Sequence, residues 1–130
     1  MKTNPLNIRY SHEVFQGELV NNTNFKTFIN RTYGVRAAMK IINHYCQDPK
    51  CNTVSDIISR WAPPCENNTE KYIEFVIDKR NVLSRDTVID PLHHKLEFCL
   101  LIQRMAIYES NIHLTNKVIL DAYKLAFPSL

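Results

Sequence analysis

The chain has 130 residues, a formal net charge of +3 and 45% hydrophobic residues, which suits one domain with a packed core. So small a positive balance makes no case for nucleic-acid binding, although it does not hinder approach to an anionic polymer. No apolar run approaches the ~20 residues of a membrane span, and the opening Met-Lys-Thr-Asn-Pro-Leu-Asn carries no apolar signal-peptide core.

Taken in order, the first thirty residues read as an extended, turn-rich segment. Asn7–Tyr10 and Glu13–Gly17 are expected to pair as short strands. A loop at Asn21-Asn22-Thr23-Asn24 follows, and Phe25–Ile29 alternates like a third strand. Together they predict a small antiparallel flap. Helices then dominate. Tyr33 to Gln47 places Val35, Met39 and Ile42 at helical spacing, and Asp48-Pro49 ends it because the residue before proline avoids the helical region. Thr53 is the expected cap of a short helix through Asp56, Ile57, Ile58 and Arg60, stopping at Trp61-Ala62-Pro63-Pro64. Asn67, with Glu70 three residues on, opens a helix to about Arg80, and a loop from Asn81 to Ile89 follows.

The longest apolar helix is expected over Pro91 to Asn111, with Asp90 as N-cap and Pro91 at the first helical position. Phe98 to Ile102 and Met105 to Tyr108 are apolar on nearly every side, which predicts a helix with several neighbours near the middle of the fold. Glu109 follows directly on that run. A carboxyl group beside apolar residues is a candidate general acid, because desolvation favours its protonated form; position alone also fits a solvated surface Glu. Thr115 caps a last helix carrying Val118, Ile119, Ala122, Tyr123 and Ala126, which Pro128 closes. With no repeat or linker, residues 1–130 read as one mainly α (α+β) unit with an N-terminal β flap.

The four cysteines, Cys46, Cys51, Cys65 and Cys99, lack zinc-knuckle spacing, and Cys99 reads as a small core residue. A Cys46–Cys51 disulfide is geometrically possible, but the absent signal peptide argues for reduced thiols. His12, His44, His93, His94 and His113 have no partners at metal spacing. Neither a metal nor a cofactor is expected.

Ala106-Ile107-Tyr108-Glu109-Ser110 resembles the Ala-x-x-Glu-Ser run at the catalytic helix end of soluble lytic transglycosylases and goose-type lysozymes. Three further segments form an ordered set: Asn4 to Tyr10 with Phe15-Gln16-Gly17, Phe25, Phe28 and Tyr33 to Ala37; then Ile57 to Thr69; then Tyr72-Ile73. This set resembles a phage and prophage virion-protein family reading Asn-Pro-x-Asn-Ile-Arg, Trp-x-Gly, Gly-Ile-Arg-Ala and Arg-Trp-Ala-Pro-Pro-x-Glu-Asn-x-Thr, over about residues 4 to 111. Phe15 stands where that family has Trp, and Leu6 where it has Gly. The first half also resembles the flap that follows the catalytic helix in wall-cleaving glucosaminidases and lysozymes. Here the Glu-Ser helix comes last, which implies a circularly permuted lysozyme-like domain.

The resemblance implies cleavage of the β-1,4 glycan of peptidoglycan, by lytic transglycosylation or hydrolysis, with Glu109 protonating the glycosidic oxygen. A lytic transglycosylase needs no second carboxylate, since the substrate's acetamido group and 6-hydroxyl complete the reaction. A hydrolase would use Glu18 or Glu13 on the flap, both of which also read as surface charges. Asn7 and Arg9 are candidates for the substrate's N-acetyl or carboxylate groups, or else a turn residue and a solvated cation. Trp61 is a buried corner residue or a sugar platform, and Glu66 reads as a helix-capping residue. Glu18, Tyr108 and Ser110 complete the candidate substrate-binding set. Peptidoglycan strands and other virion proteins are the expected partners. Without a signal peptide, the chain is expected to be made in the cytoplasm and to reach the periplasm or wall within a virion or with a lysis partner. A non-catalytic virion or wall-binding protein, or an adaptor with an aromatic patch, would share these features.

Overall fold

The computed structural model describes residues 1–21, 23–78 and 82–128. Two short strands, β1 (Glu18–Leu19) and β2 (Thr27–Phe28), precede α1 (Arg31–Cys46), α2 (Val54–Trp61), α3 (Thr69–Val76), α4 (Lys95–Ser110) and α5 (Asn116–Ala126). The fold is mainly helical with a small antiparallel sheet at the N-terminus, as the sequence pattern implies. α1 packs most extensively on α5, while α4 lies against α3, α1 and α5. Phe98, Leu101, Ile102, Met105 and Ala106 are buried with Met39, Ile42, Ile57 and Ile58 in one core.

Local caps account for most helix boundaries. Thr53 accepts from Asp56 N while the Asp56 carboxylate reaches back to Thr53 N, a complete capping box. Thr115 accepts from Val118 N at 3.2 Å. Asn30 caps α1, which therefore starts two residues before the expected Tyr33. The cap of α3 is Asn68 rather than Asn67, and the helix ends at Val76; residues 79–81, within the expected helix and loop, lie outside the described residues, as does Asn22.

α4 does not begin at Pro91. Asp90 Oδ1 accepts from Leu92 N and His93 N, closing a separate turn, and the helix starts at Lys95 after His94. The Pro91 carbonyl accepts from the buried Tyr123 hydroxyl at 2.6 Å, which ties this turn to α5.

The flap is also wired differently. Residues 7–10 do not pair with 13–17; Arg9 bridges Phe25, and β1 pairs with β2, Glu18 opposite Phe28. The 25–28 segment therefore lies at the centre. Residues 13–17 cannot form a ladder because Lys26 Nζ takes the carbonyls of Ser11 (3.0 Å) and Glu13 (2.8 Å), and Phe15 O accepts from Glu18 N in a turn through Gly17. Flap and helices meet at Gly34 on α1, where a Cβ would lie 1.9 Å from the Thr3 carbonyl oxygen.

Candidate functional site

The site is assembled from four separate stretches of chain. The first is the turn Asn4–Asn7. Asn4 is buried; its amide nitrogen donates to the Ile8 and Lys26 carbonyls and its oxygen accepts from Ile8 N, each at 2.9 Å. Asn7 takes the left-handed conformation, φ +54°, which asparagine tolerates well. Leu6, where glycine was the resemblance's residue, keeps out of that region and fills the core instead.

The second stretch is the end of α4. Asn111, also left-handed at φ +54°, closes the helix, and its N–H donates to Ile107 O. Glu109 thus sits in the last turn, where the negative end of the helix dipole opposes its charge. Donors from outside the helix offset this. Asn7 Nδ2 lies 3.0 Å from both the Glu109 carbonyl oxygen and Oε1. Oε2 accepts from Trp61 Nε1 at 3.1 Å and from the Tyr72 hydroxyl at 2.9 Å.

Trp61 ends α2, and Tyr72 lies on α3. The corner between them is tied by the buried Thr69 hydroxyl donating to Ala62 O. Trp61 meets Tyr45 edge-on at 6.5 Å, and the Arg60 guanidinium lies 4.3 Å above the Tyr45 ring. Tyr72 is stacked on Tyr108 at 4.0 Å. Burial, then the negative charge of Glu109, push the Tyr72 phenol far above its usual range, so it remains a donor.

Beside Glu109 runs an open groove of about 480 Å³ between flap and helices. Arg9, Ser11, Glu13 and Phe15 form its flap wall, with Ile41, Tyr45, Trp61, Glu66 and Asn67 opposite. The side chains of Arg9, Glu13 and Glu66 have no hydrogen-bond partner among the described residues, which leaves them free for a ligand. Phe15 is buried beneath the Lys26 ammonium, 5.7 Å from its ring centre. One buried lysine thus holds Ser11, Glu13 and Phe15 of the flap wall.

Of the residues singled out from sequence, Asn7, Arg9, Glu13, Trp61 and Glu109 come together on this groove. Asn7 directs its amide at Glu109, while its oxygen accepts from Lys2 Nζ and, at 3.5 Å, the Ser110 hydroxyl. Tyr108 lies behind Tyr72, and Glu18 is paired with the buried Lys26 at 2.9 Å; neither lines the groove. Glu66, expected as a cap, lines the groove, and Asn68 caps α3. Tyr72 and Lys26 were not singled out as site residues. The available signal was a tyrosine in an otherwise apolar helix face, since a buried hydroxyl needs a partner. Cys46, Cys51, Cys65 and Cys99 are free thiols. Among the described residues no three His, Cys, Asp or Glu side chains cluster as a metal site requires, and no helix is long and apolar enough to cross a membrane.

Comparison with known proteins adds one relative. Protein P5 of Pseudoalteromonas phage PM2 is 36% identical over 84 residues, covering 61% of this chain and 52% of that protein. The chain resembles a phage protein. It spans about half the length of this curated relative. No protein-family model matches the chain.

Proposed function

We propose that this chain is a lysozyme-like domain that cuts the β-1,4 glycan of peptidoglycan in a phage context, as a lytic transglycosylase or a muramidase. The observation that carries this reading is the Glu109 carboxylate, held at the junction of flap and helices by Asn7, Trp61 and Tyr72 beside an open groove. A general acid must be fixed against the leaving oxygen, and anchoring from three elements does that. Oε1 accepts from Asn7 alone and keeps a lone pair for the transferred proton. In a transglycosylase the substrate's own groups complete the reaction. In a hydrolase, Glu13 or Glu66 would activate water, since both carboxylates line the groove without an ion-pair partner among the described residues. The contact between Asn7 and Glu109 also supports the circularly permuted order, because it joins the start of the flap to the end of the Glu helix.

A binding-only virion or wall protein is the second reading, favoured by the same carboxylate acting as a structural anchor. Incubating the purified protein and Glu109→Gln with peptidoglycan sacculi, followed by mass spectrometry of released fragments, separates them. Anhydro-muropeptides from the unsubstituted protein alone mean a transglycosylase, and reducing-end muropeptides a hydrolase. Binding by both proteins without release sinks the catalytic reading.

A further inference from the structure

The turn that carries Asn7 is backed by the residues just before it. Lys2 O accepts from Arg31 Nε at 3.1 Å, and Thr3 Oγ1 accepts from Phe28 N at 3.0 Å. These bonds tie the main chain at Lys2 and Thr3 to α1 and β2. The Lys2 side chain reaches Asn7, where its ammonium donates to Oδ1 at 2.5 Å. The Asn7 amide nitrogen in turn donates to the Glu109 carbonyl and carboxylate. A cation, an amide dipole and a carboxylate are thus linked in series, and each hydrogen bond polarises the next.

Asn7 is only half-buried, so water competes for its amide. Besides Lys2, its oxygen has the Ser110 hydroxyl at 3.5 Å, the outer limit of a hydrogen bond. Lys2 is therefore the group that holds the oxygen end of the amide, and it does so without lining the groove. We propose that Lys2 is a positioning residue for Glu109, which acts by holding the Asn7 oxygen and so keeps the amide nitrogen on the carboxylate. Its part in cleavage rests on the glycan-cutting reading of Glu109, whereas the coupling of Lys2 to Glu109 through Asn7 is read without any substrate.

The test compares the melting temperature with and without Lys2→Met in three backgrounds: the unsubstituted protein, Asn7→Gly and Glu109→Gln. Methionine keeps an unbranched side chain and removes the charge. The expected loss is about 3–6 °C in the unsubstituted protein, as for one hydrogen bond in a chain of this size. It falls below half of that in Glu109→Gln, where the anionic end is gone, and to within about 1 °C in Asn7→Gly, where the link is absent. An equal loss in the unsubstituted and Glu109→Gln proteins means that Lys2 steadies Asn7 alone. A loss that persists in Asn7→Gly means that its charge acts without the amide. Either result, or no loss at all, overturns the proposal. With soluble peptidoglycan fragments, Lys2→Met is expected to lower kcat by about 10-fold while KM stays within about 2-fold, and Lys2→Arg restores kcat. Equal kcat in the unsubstituted and Lys2→Met proteins also overturns it. If the unsubstituted protein cleaves nothing, the glycan reading fails, and the melting comparison still decides whether Lys2 positions Glu109.

Discussion

Asn7 and Glu109 stand 102 residues apart in sequence, yet one amide nitrogen of Asn7 donates at 3.0 Å to both the main-chain carbonyl and the carboxylate of Glu109. The flap is thereby locked onto the C-terminal turn of α4, at the residue whose position matters most for the proposed chemistry. Asn7→Gly keeps the left-handed backbone and removes the clamp on Glu109 together with the contacts of the Asn7 oxygen with Lys2 and Ser110. It is expected to lower stability by about 1.5–3 kcal/mol, the range for a hydrogen bond to a charged group. A displaced acid also lowers turnover by roughly 100-fold. Thermal melts and sacculus turbidity assays check the two parts separately.

Tyr72→Phe removes one of two donors on Glu109 Oε2 without changing the stacking against Tyr108. A loss of about 1–3 kcal/mol is expected, together with reduced glycan cleavage. Glu109→Gln keeps the shape, but its NH2 group must face either Asn7 Nδ2 or the Trp61 and Tyr72 donors, so a loss of about 1–3 kcal/mol is expected. Its cleavage should fall by about 100-fold or more, as expected for loss of a general acid. A Gln variant that retains cleavage removes Glu109 from the chemistry.

Trp61 is the sole tryptophan of the chain, so its fluorescence reports on the groove without labelling. Saccharide binding is expected to shift its emission to shorter wavelength as water leaves the indole. Trp61→Phe should keep the ring packing, lose the Nε1 bond to Glu109 and weaken binding. An emission spectrum unmoved by saturating ligand would place the ligand elsewhere.

Lys26 and Glu18 form a pair whose side chains are 1% and 13% exposed. Lys26→Met takes the ammonium away from two flap carbonyls and from Glu18, which keeps only the Phe15 N–H, and should cost about 3–5 kcal/mol, as removal of one member of a buried pair does. Adding Glu18→Leu is expected to recover part of that loss, because no unpaired charge then remains. Denaturant unfolding of the three variants measures the recovery. If the double variant is no more stable than Lys26→Met, charge pairing is not what holds the flap wall.

Burial raises the Cys46 thiol from its ordinary 9.0 to about 12 and the Cys99 thiol to about 11. A raised folded pKa contributes stability that is intact below the unfolded value and is lost as pH climbs toward the folded one. The protein should therefore lose stability as the pH rises above 9.0, where the unfolded thiols ionise first. At pH 8 the exposed Cys65 should alkylate fastest, with Cys46 and Cys99 protected until unfolding. Mass mapping after timed alkylation gives the order.

The chain by itself determined the features whose physics is local. Thr53 and Thr115 cap their helices through N–H groups three residues away, so those starts can be read from the sequence. An apolar helix ending in Glu109 and Asn111 can be read in the same way, because burial pattern and left-handed closure are properties of neighbouring residues. Only the tertiary structure decided the rest. The turn before α4 is tied down by Tyr123, on another helix, whose hydroxyl donates to the Pro91 carbonyl. The flap pairs as it does because one buried lysine collects two loop carbonyls and Glu18. The partners of Glu109 lie 37, 48 and 102 residues from it, on elements whose meeting follows from core packing. Hydrogen-bond groups that distant leave no periodic trace along a chain, so a candidate acid was visible in the sequence and its setting was not.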